Sequence, residues 1–277
     1  MTIPMKTIIA SILILISINA IAQKKEKLAG NKDVVEVYKT LNSFSQLEIF
    51  DKLEVFILQA DTTECRLVAD SNLIDAIKFD VLNDVLRIST TNRITSNKKL
   101  EIHLSFKQLD KITLNKGSEI LGENNFNLNT LLINSLDGSF FDLDLKTDEL
   151  KIQMVGKSRG KLKLKQGNAK ITLNDNSYLE GRISVDQLDV NQNKSSDIKF
   201  DGDCNVLNLN IEGSSAFKSK DLKATTVSIN ASKYSKSYIY ATKDLNIYAK
   251  DKSNIYVYGN PEITVKGLND NAQIVKK

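Results

Sequence analysis

The chain has 277 residues, and its 38 Lys and Arg residues against 34 Asp and Glu residues give a formal net charge of +4. Basic and acidic residues interleave along the chain, which excludes the clustered Lys and Arg of a nucleic-acid-binding surface. The single histidine excludes a metal site built from several histidines. Two prolines among many Asn and Asp residues are typical of short strands joined by tight turns.

Residues 1–22 are predicted to be a signal peptide. Lys6 provides a positive first region, residues 8–18 are apolar, and residues 20–22 form a small-x-small cleavage site. The apolar run is shorter than the about 20 residues that a membrane span requires. We therefore expect an exported protein in the periplasm, at the outer-membrane surface or secreted, with no transmembrane segment in the mature chain.

The next two segments are predicted to precede the regular part of the fold. Residues 23–42 are polar and charged, and we expect them to form a mobile leader. Residues 43–110 alternate apolar and polar positions, as in Leu53-x-Val55-x-Ile57, but they have no fixed period. A solenoid needs an atypical end that covers its apolar cross-section, so this segment is predicted to be an N-terminal β cap.

From residue 111 one short pattern recurs. An aliphatic residue, a second aliphatic two positions later and a serine eight positions after the first are repeated, as in Leu150, Ile152 and Ser158. From the second serine onward the steps are 19, 19, 19, 19, 20 and 18 residues. The serines of this ladder are Ser118, Ser139, Ser158, Ser177, Ser196, Ser215, Ser235 and Ser253.

A fixed period of about 20 residues indicates a solenoid, in which each repeat buries its apolar face only against its neighbours. Apolar and polar residues alternate both before and after the serine, which indicates at least two short strands per repeat. The sequence therefore predicts an all-β fold, a β-solenoid with coils of about 19 residues and irregular N- and C-terminal caps. Residues 43–277 would be one continuous domain, with the serine-ladder solenoid and its C-terminal cap over 111–277. About seven coils would make a rod of roughly 35 Å.

The repeated serine has two interpretations. Its hydroxyl can bond a neighbouring coil or a backbone group at a cramped corner, which makes the ladder structural. Alternatively, the hydroxyl groups form an array that binds carbohydrate or a surface. The sequence favours the structural interpretation.

Catalytic chemistry has weak candidates. His103 lies on the outward side of an alternating strand, far from the serine ladder. Asp137 and Asp175 each stand two residues before a ladder serine and would lie about 9.6 Å apart. That distance is at the margin of the about 5–9.5 Å that glycoside hydrolysis uses. We predict no catalytic residue, no cofactor and no metal.

Six of the eight tyrosines lie in the last coils. An outward tyrosine offers ring area and a hydroxyl at low entropy cost, which suits binding of a sugar or a protein. Filling of the C-terminal cap is the alternative. The candidate surface-binding residues are Tyr234, Tyr238, Tyr240, Tyr248, Tyr256 and Tyr258.

Cys65 and Cys204 are the only cysteines. An oxidising compartment permits a disulfide between them. Each also lies in a strand-like run, where a cysteine commonly packs as a small buried hydrophobe. The second interpretation is favoured.

The chain resembles the auto-transporter adhesin family named for its head GIN domain. The resemblance rests on residues 53–57, 85–88 and 99–104, on Gly-Ser pairs such as Gly138-Ser139, and on the closing residues 258–261. It implies a right-handed β-helix-like stack, an envelope location and no catalytic residues.

These observations together predict a non-enzymatic exported envelope protein. It would be an adhesin-like binding or scaffold β-solenoid whose partners are glycans or envelope proteins. A polysaccharide-acting β-helix lyase or hydrolase that uses Asp137 or Asp175 is one alternative. A purely structural spacer is the other.

Overall fold

A computed structural model describes residues 25–277. The predicted signal peptide, residues 1–22, lies outside the described residues. Among the residues that are described, no helix is long and apolar enough to cross a membrane.

Nearly all regular structure is strand. The strands are β1 (Lys27–Ala29), β2 (Val34–Lys39), β3 (Gln46–Ile49), β4 (Glu54–Gln59), β5 (Cys65–Asp70), β6 (Ile77–Leu82), β7 (Val85–Thr90), β8 (Arg93–Ser96), β9 (Leu100–Phe106), β10 (Lys111–Leu114), β11 (Glu119–Ser135), β12 (Phe140–Met154), β13 (Arg159–Lys165), β14 (Asn168–Leu173), β15 (Tyr178–Gln192), β16 (Asp197–Ile211), β17 (Ala216–Ala231), β18 (Lys236–Ala249), β19 (Asn254–Tyr258), β20 (Glu262–Leu268) and β21 (Gln273–Lys276). One 3-10 helix, Ser71–Ala76, follows β5.

From β10 onward the strands stack in parallel, each beside the strand one repeat away. Leu150 of β12 pairs with Ala169 of β14, which pairs in turn with Leu188 of β15. The chain winds into a β-solenoid of about nine coils with a spacing of about 19 residues. The predicted fold class is confirmed.

The core is a set of aliphatic columns that run along the stack. One column continues through eight consecutive pairings and is buried down to Ile247: Ile112, Ile133, Ile152, Ile171, Val190, Leu209, Ile229, Ile247 and Val265. Each such buried side chain contributes about 1.5–3 kcal/mol relative to exposure. A slip of one residue would turn a strand's apolar side chains outward, so the columns fix the register.

The first coils do not stack in chain order. β3 lies between β7 and β10, and β4 lies between β9 and β11, all in parallel. The outer strands of this end are antiparallel, because β6 pairs with β7 and β5 pairs with both β9 and β2. Residues 43–110 therefore contribute solenoid coils as well as end strands. The extra coils explain why about nine are present where about seven were predicted.

The prediction of a mobile leader over residues 23–42 is wrong for its described part. β1 pairs with β8, and β2 pairs with β5 over six residues. Lys25 also donates hydrogen bonds to Asp51 and to the Thr90 carbonyl. The segment is polar because most of its side chains face solvent, while its backbone completes the sheet edges.

The C-terminal end also differs from the predicted cap. β20 pairs in parallel with β18, and β21 pairs in parallel with β19, so the last coil continues the stack. Pro261 lies between β19 and β20, where no ladder hydrogen bond is required. The described chain therefore ends in one more coil of the stack, where an irregular cap was predicted.

Candidate functional site

Each coil of the regular region turns at a tight corner that ends in the ladder serine. The residue two positions before each serine adopts a left-handed backbone conformation, as at Asp137, whose φ angle is 54°, and at Gly138 the next residue does so too, with a φ angle of 78°. Glycine tolerates this conformation without cost, and Asp tolerates it better than most other residues. This conformational requirement explains the Gly and Asp residues that recur two positions before the serines, although lysine occupies the same position in three coils.

The eight ladder serines stack in one column and are all buried. The hydroxyl group of Ser158 donates to the Val155 carbonyl at 2.6 Å and reaches the Ser135 carbonyl at 2.9 Å. Ser177 and Ser253 donate to the carbonyl three residues earlier in the same way, at 2.7 and 2.8 Å. These hydroxyl groups close the corner from inside, so the column presents no hydroxyl array to solvent.

Aspartates at the corners bond the neighbouring coil. A carboxylate oxygen of Asp175 accepts the Gly156 amide at 3.2 Å, and Asp251 accepts the Lys233 amide at 2.9 Å. Asp175 also pairs with Lys194. The hydrogen bond from that ammonium holds the pKa of Asp175 below its usual value.

This arrangement does not suit general acid catalysis, which requires a carboxyl group with a raised pKa. Asp137 and Asp175 lie at equivalent corners with one coil between them. Each has the left-handed conformation that the corner requires. Their placement is explained by the turn.

The remaining candidates for chemistry lie apart from one another. His103 stacks on Phe56 with ring centroids 4.9 Å apart, and its Nδ1 lies 3.2 Å from a Glu123 carboxylate oxygen. Cys65 and Cys204 are both free and buried, and burial raises the pKa of each thiol to about 12. Between Lys25 and Lys277, no group of three or more His, Cys, Asp or Glu residues is arranged to hold a metal ion.

Four of the six candidate tyrosines form one surface, which we call the tyrosine patch: Tyr238, Tyr240, Tyr256 and Tyr258. Tyr238 and Tyr240 point outward from β18, and Tyr256 and Tyr258 are their register partners on β19. The rings of Tyr238 and Tyr256 stack with centroids 4.7 Å apart and planes 16° from parallel. Stacking covers one face of each of these two rings, so the pair presents mainly its ring edges and hydroxyl groups to solvent.

Three lysines lie beside the tyrosine patch, and sequence reasoning did not identify them. Lys223 lies 6.0 Å from the ring centroid of Tyr240, and Lys277 lies 5.5 Å from that of Tyr256. Lys218 is the register neighbour of Tyr238 on the preceding coil. No local pattern in the sequence could have found them, because Lys218 and Lys223 belong to the preceding coil and meet the tyrosines only through the stacking of coils.

The other two candidate tyrosines lie elsewhere. Tyr248 is in the second half of β18, where it covers Gly267, and it accepts a hydrogen bond from Asn269 at 3.5 Å. Tyr234 is exposed at a corner, where Lys252 lies 5.6 Å from its ring centroid. The six tyrosines therefore do not form a single stripe.

Solved structures share this architecture. One described as a putative adhesin from Parabacteroides distasonis has a TM-score of 0.68 and 13% identity, covering 91% of this chain and 100% of that one. One described as a putative lipid binding protein from the same organism has a TM-score of 0.64 and 17% identity, with coverages of 91% and 100%. A third, a putative adhesin from Parabacteroides merdae, has a TM-score of 0.63 and 14% identity, with coverages of 91% and 99%. At these identities the likeness concerns the fold.

Sequence comparison identifies the family. No curated protein matches the chain. A family profile matches twice in succession, over residues 43–163 and 159–261, so it covers most of the chain. The chain belongs to the family described as "Putative auto-transporter adhesin, head GIN domain".

Proposed function

We propose that this protein is an exported, non-enzymatic, adhesin-like binding protein of the cell envelope, and that its tyrosine patch binds an acidic glycan. Membership of an adhesin-named family supports the general role. The observation that carries the specific role is the register-aligned tyrosine patch with lysines over two of its rings.

The patch offers hydrogen-bonding groups in a repeating pattern. Each of its tyrosines stands at an outward position of a parallel strand, and neighbouring strands are about 4.8 Å apart. A polysaccharide carries hydroxyl and acidic groups at regular intervals. Tyrosine hydroxyl groups can both donate and accept hydrogen bonds, so the patch matches such a chain chemically.

Charge favours an acidic ligand over a neutral one, because Lys223 and Lys277 lie over two rings of the patch and the last coils carry an excess of lysine. Eight lysines against four acidic residues give residues 232–277 a net charge of +4, which is the whole net charge of the chain. The charges of the remaining residues cancel, because 30 of them are basic and 30 are acidic. A local excess of one sign attracts ligands of the opposite sign, and salt weakens the attraction.

The experiment measures binding of the mature protein to polygalacturonate, to heparin and to neutral dextran. We expect the acidic polymers to bind, dextran not to bind, and added salt to weaken the acidic interaction. The double variant Tyr238→Phe, Tyr256→Phe keeps the rings but removes two hydroxyl groups. It should weaken binding roughly a hundredfold, since each of the two hydrogen bonds to a charged group contributes about 1.5–3 kcal/mol.

Matched controls lie on another part of the same rod. Tyr248→Phe removes a hydroxyl outside the patch, and Lys170→Gln removes a lysine from β14; both should bind as the wild type does. Lys223→Gln with Lys277→Gln should reduce binding and its dependence on salt. Equal binding of dextran, or full binding by the patch variants, would show that the patch is not the glycan site.

A further inference from the structure

The C-terminal end of the rod exposes apolar side chains that elsewhere would lie in the core. Ile263, Val265 and Leu268 of β20 are 38%, 47% and 49% exposed. They are three of the nine large hydrophobic side chains that are exposed within residues 25–277. Val265 continues the aliphatic column through Ile247, and within residues 25–277 no further coil covers it.

The backbone of β20 is open as well. Over the described residues, β20 pairs with β18 on one side and with no strand on its other side. An exposed edge of unpaired amide and carbonyl groups is a template for pairing with another strand. An extended chain with apolar side chains therefore fits this edge.

The sequence of β20 is complementary to itself. If two copies run antiparallel about Thr264, Ile263 of each copy faces Val265 of the other, and Glu262 faces Lys266, the extra residue of a bulge against β18 whose side chain remains exposed. Threonine faces threonine at the centre. Opposite charges, β-branched pairs and Thr–Thr pairs are all favourable across antiparallel strands. A strand that meets its own copy in this way satisfies the requirement of a two-fold interface, in which residue i contacts j and j contacts i.

We propose that β20 pairs antiparallel with β20 of a second copy of this chain, which joins two rods end to end. The pairing gives hydrogen-bond partners to the unpaired amide and carbonyl groups of β20, and it covers the side chains of Ile263 and Val265. Two Glu262–Lys266 ion pairs fix the register. The opposite end of the rod is less suited to this, because its antiparallel outer strands carry charged side chains such as Glu36, Lys39, Lys78 and Asp80.

The test is a charge exchange followed by sedimentation equilibrium of the mature protein. Glu262→Lys places lysine opposite lysine at both ends of the pairing, and Lys266→Glu places glutamate opposite glutamate. Each single variant should dissociate roughly tenfold more readily than the wild type. The double exchange should dimerise as the wild type does. An equimolar mixture of the two single variants should form heterodimers, because both cross-strand pairs are then of opposite charge.

Each outcome is decisive, since both positions are exposed and circular dichroism checks that the fold is unchanged. A wild-type protein that stays monomeric at the highest attainable concentration overturns the proposal. Single variants that dimerise as well as the wild type, or a mixture that does not recover the dimer, also overturn it. None of these results bears on glycan binding, which involves a different surface.

Discussion

Two serines of the same column differ in what their hydroxyl groups contact. The hydroxyl group of Ser158 lies within hydrogen-bonding distance of two carbonyl groups, whereas the buried hydroxyl of Ser235 has no partner within the described structure. The 19-residue pattern predicted both serines as equivalent. It could not separate them, because the difference depends on how each corner closes against the coil beneath it.

Ser158→Ala is expected to lower the free energy of unfolding by about 1 kcal/mol, because the hydrogen bond that its hydroxyl group donates at the corner is lost. Urea unfolding followed by circular dichroism measures the change. Ser235→Ala is the matched control and should be nearly neutral, since no hydrogen bond is lost. Equal losses for the two variants would mean that the hydroxyl contacts do not stabilise the corner.

The sequence also showed that aspartate recurs at one position of the corner, but it did not reveal what these aspartates do. Asp137 and Asp175 each stand two residues before a ladder serine, which made them an alternative catalytic pair, and Asp251 has the same position. In the structure Asp175 and Asp251 accept amide groups of the preceding coil. A repeated carboxylate can serve a turn or a reaction, and only three-dimensional contacts distinguish the two.

At the scale of the element, the periodic coils were predictable and the N-terminal strands were less so. Leu131 to Ser253 repeats one pattern because every coil meets the same neighbours above and below. β1 and β2 have no such repeat, and the order of β3 and β7 in the stack reverses their order in the chain. Pairing between distant segments leaves no local pattern, so the leader prediction failed there.

The buried carboxylate of Asp70 links the N-terminal segments to the rod by hydrogen bonds. Asp70, at the end of β5, accepts the backbone amides of Lys32, Lys98 and Lys99 at 3.0–3.1 Å. Burial alone would raise the pKa of Asp70, but these hydrogen bonds outweigh it and hold the pKa below its usual value. Gly30 leaves room for the carboxylate, because a Cβ there would lie 2.0 Å from its oxygen.

A group whose native pKa is depressed stabilises the fold above its unfolded pKa, which is about 3.9 for aspartate. The contribution of Asp70 should therefore be full at neutral pH and be lost as the pH falls through the lower native pKa. Asp70→Asn should reduce the thermal midpoint at pH 7, and the difference from wild type should shrink below about pH 4. Asp61→Asn, at an exposed carboxylate, is the control. A difference that does not depend on pH would contradict the role of the ionised carboxylate.

At the scale of the whole molecule, the rod determines which side chains become neighbours. Tyr238 and Tyr256 are 18 residues apart in sequence, yet they stack because successive coils lie in register. The tyrosine concentration was evident in the sequence. The division into a patch of four and two separate residues was not, because it depends on which face of the coil each position occupies.

The most direct test measures distances along one outward column of the stack. Lys111 is linked by successive register pairs to Asn208, Ser228 and Asn246, which lie five, six and seven coils away. With spin labels at Lys111 and at each of these positions, and the two native cysteines replaced, pulsed electron paramagnetic resonance should give about 24, 29 and 34 Å, a rise of about 4.8 Å per coil. Distances that do not increase in equal steps would contradict the in-register stack on which the tyrosine patch depends.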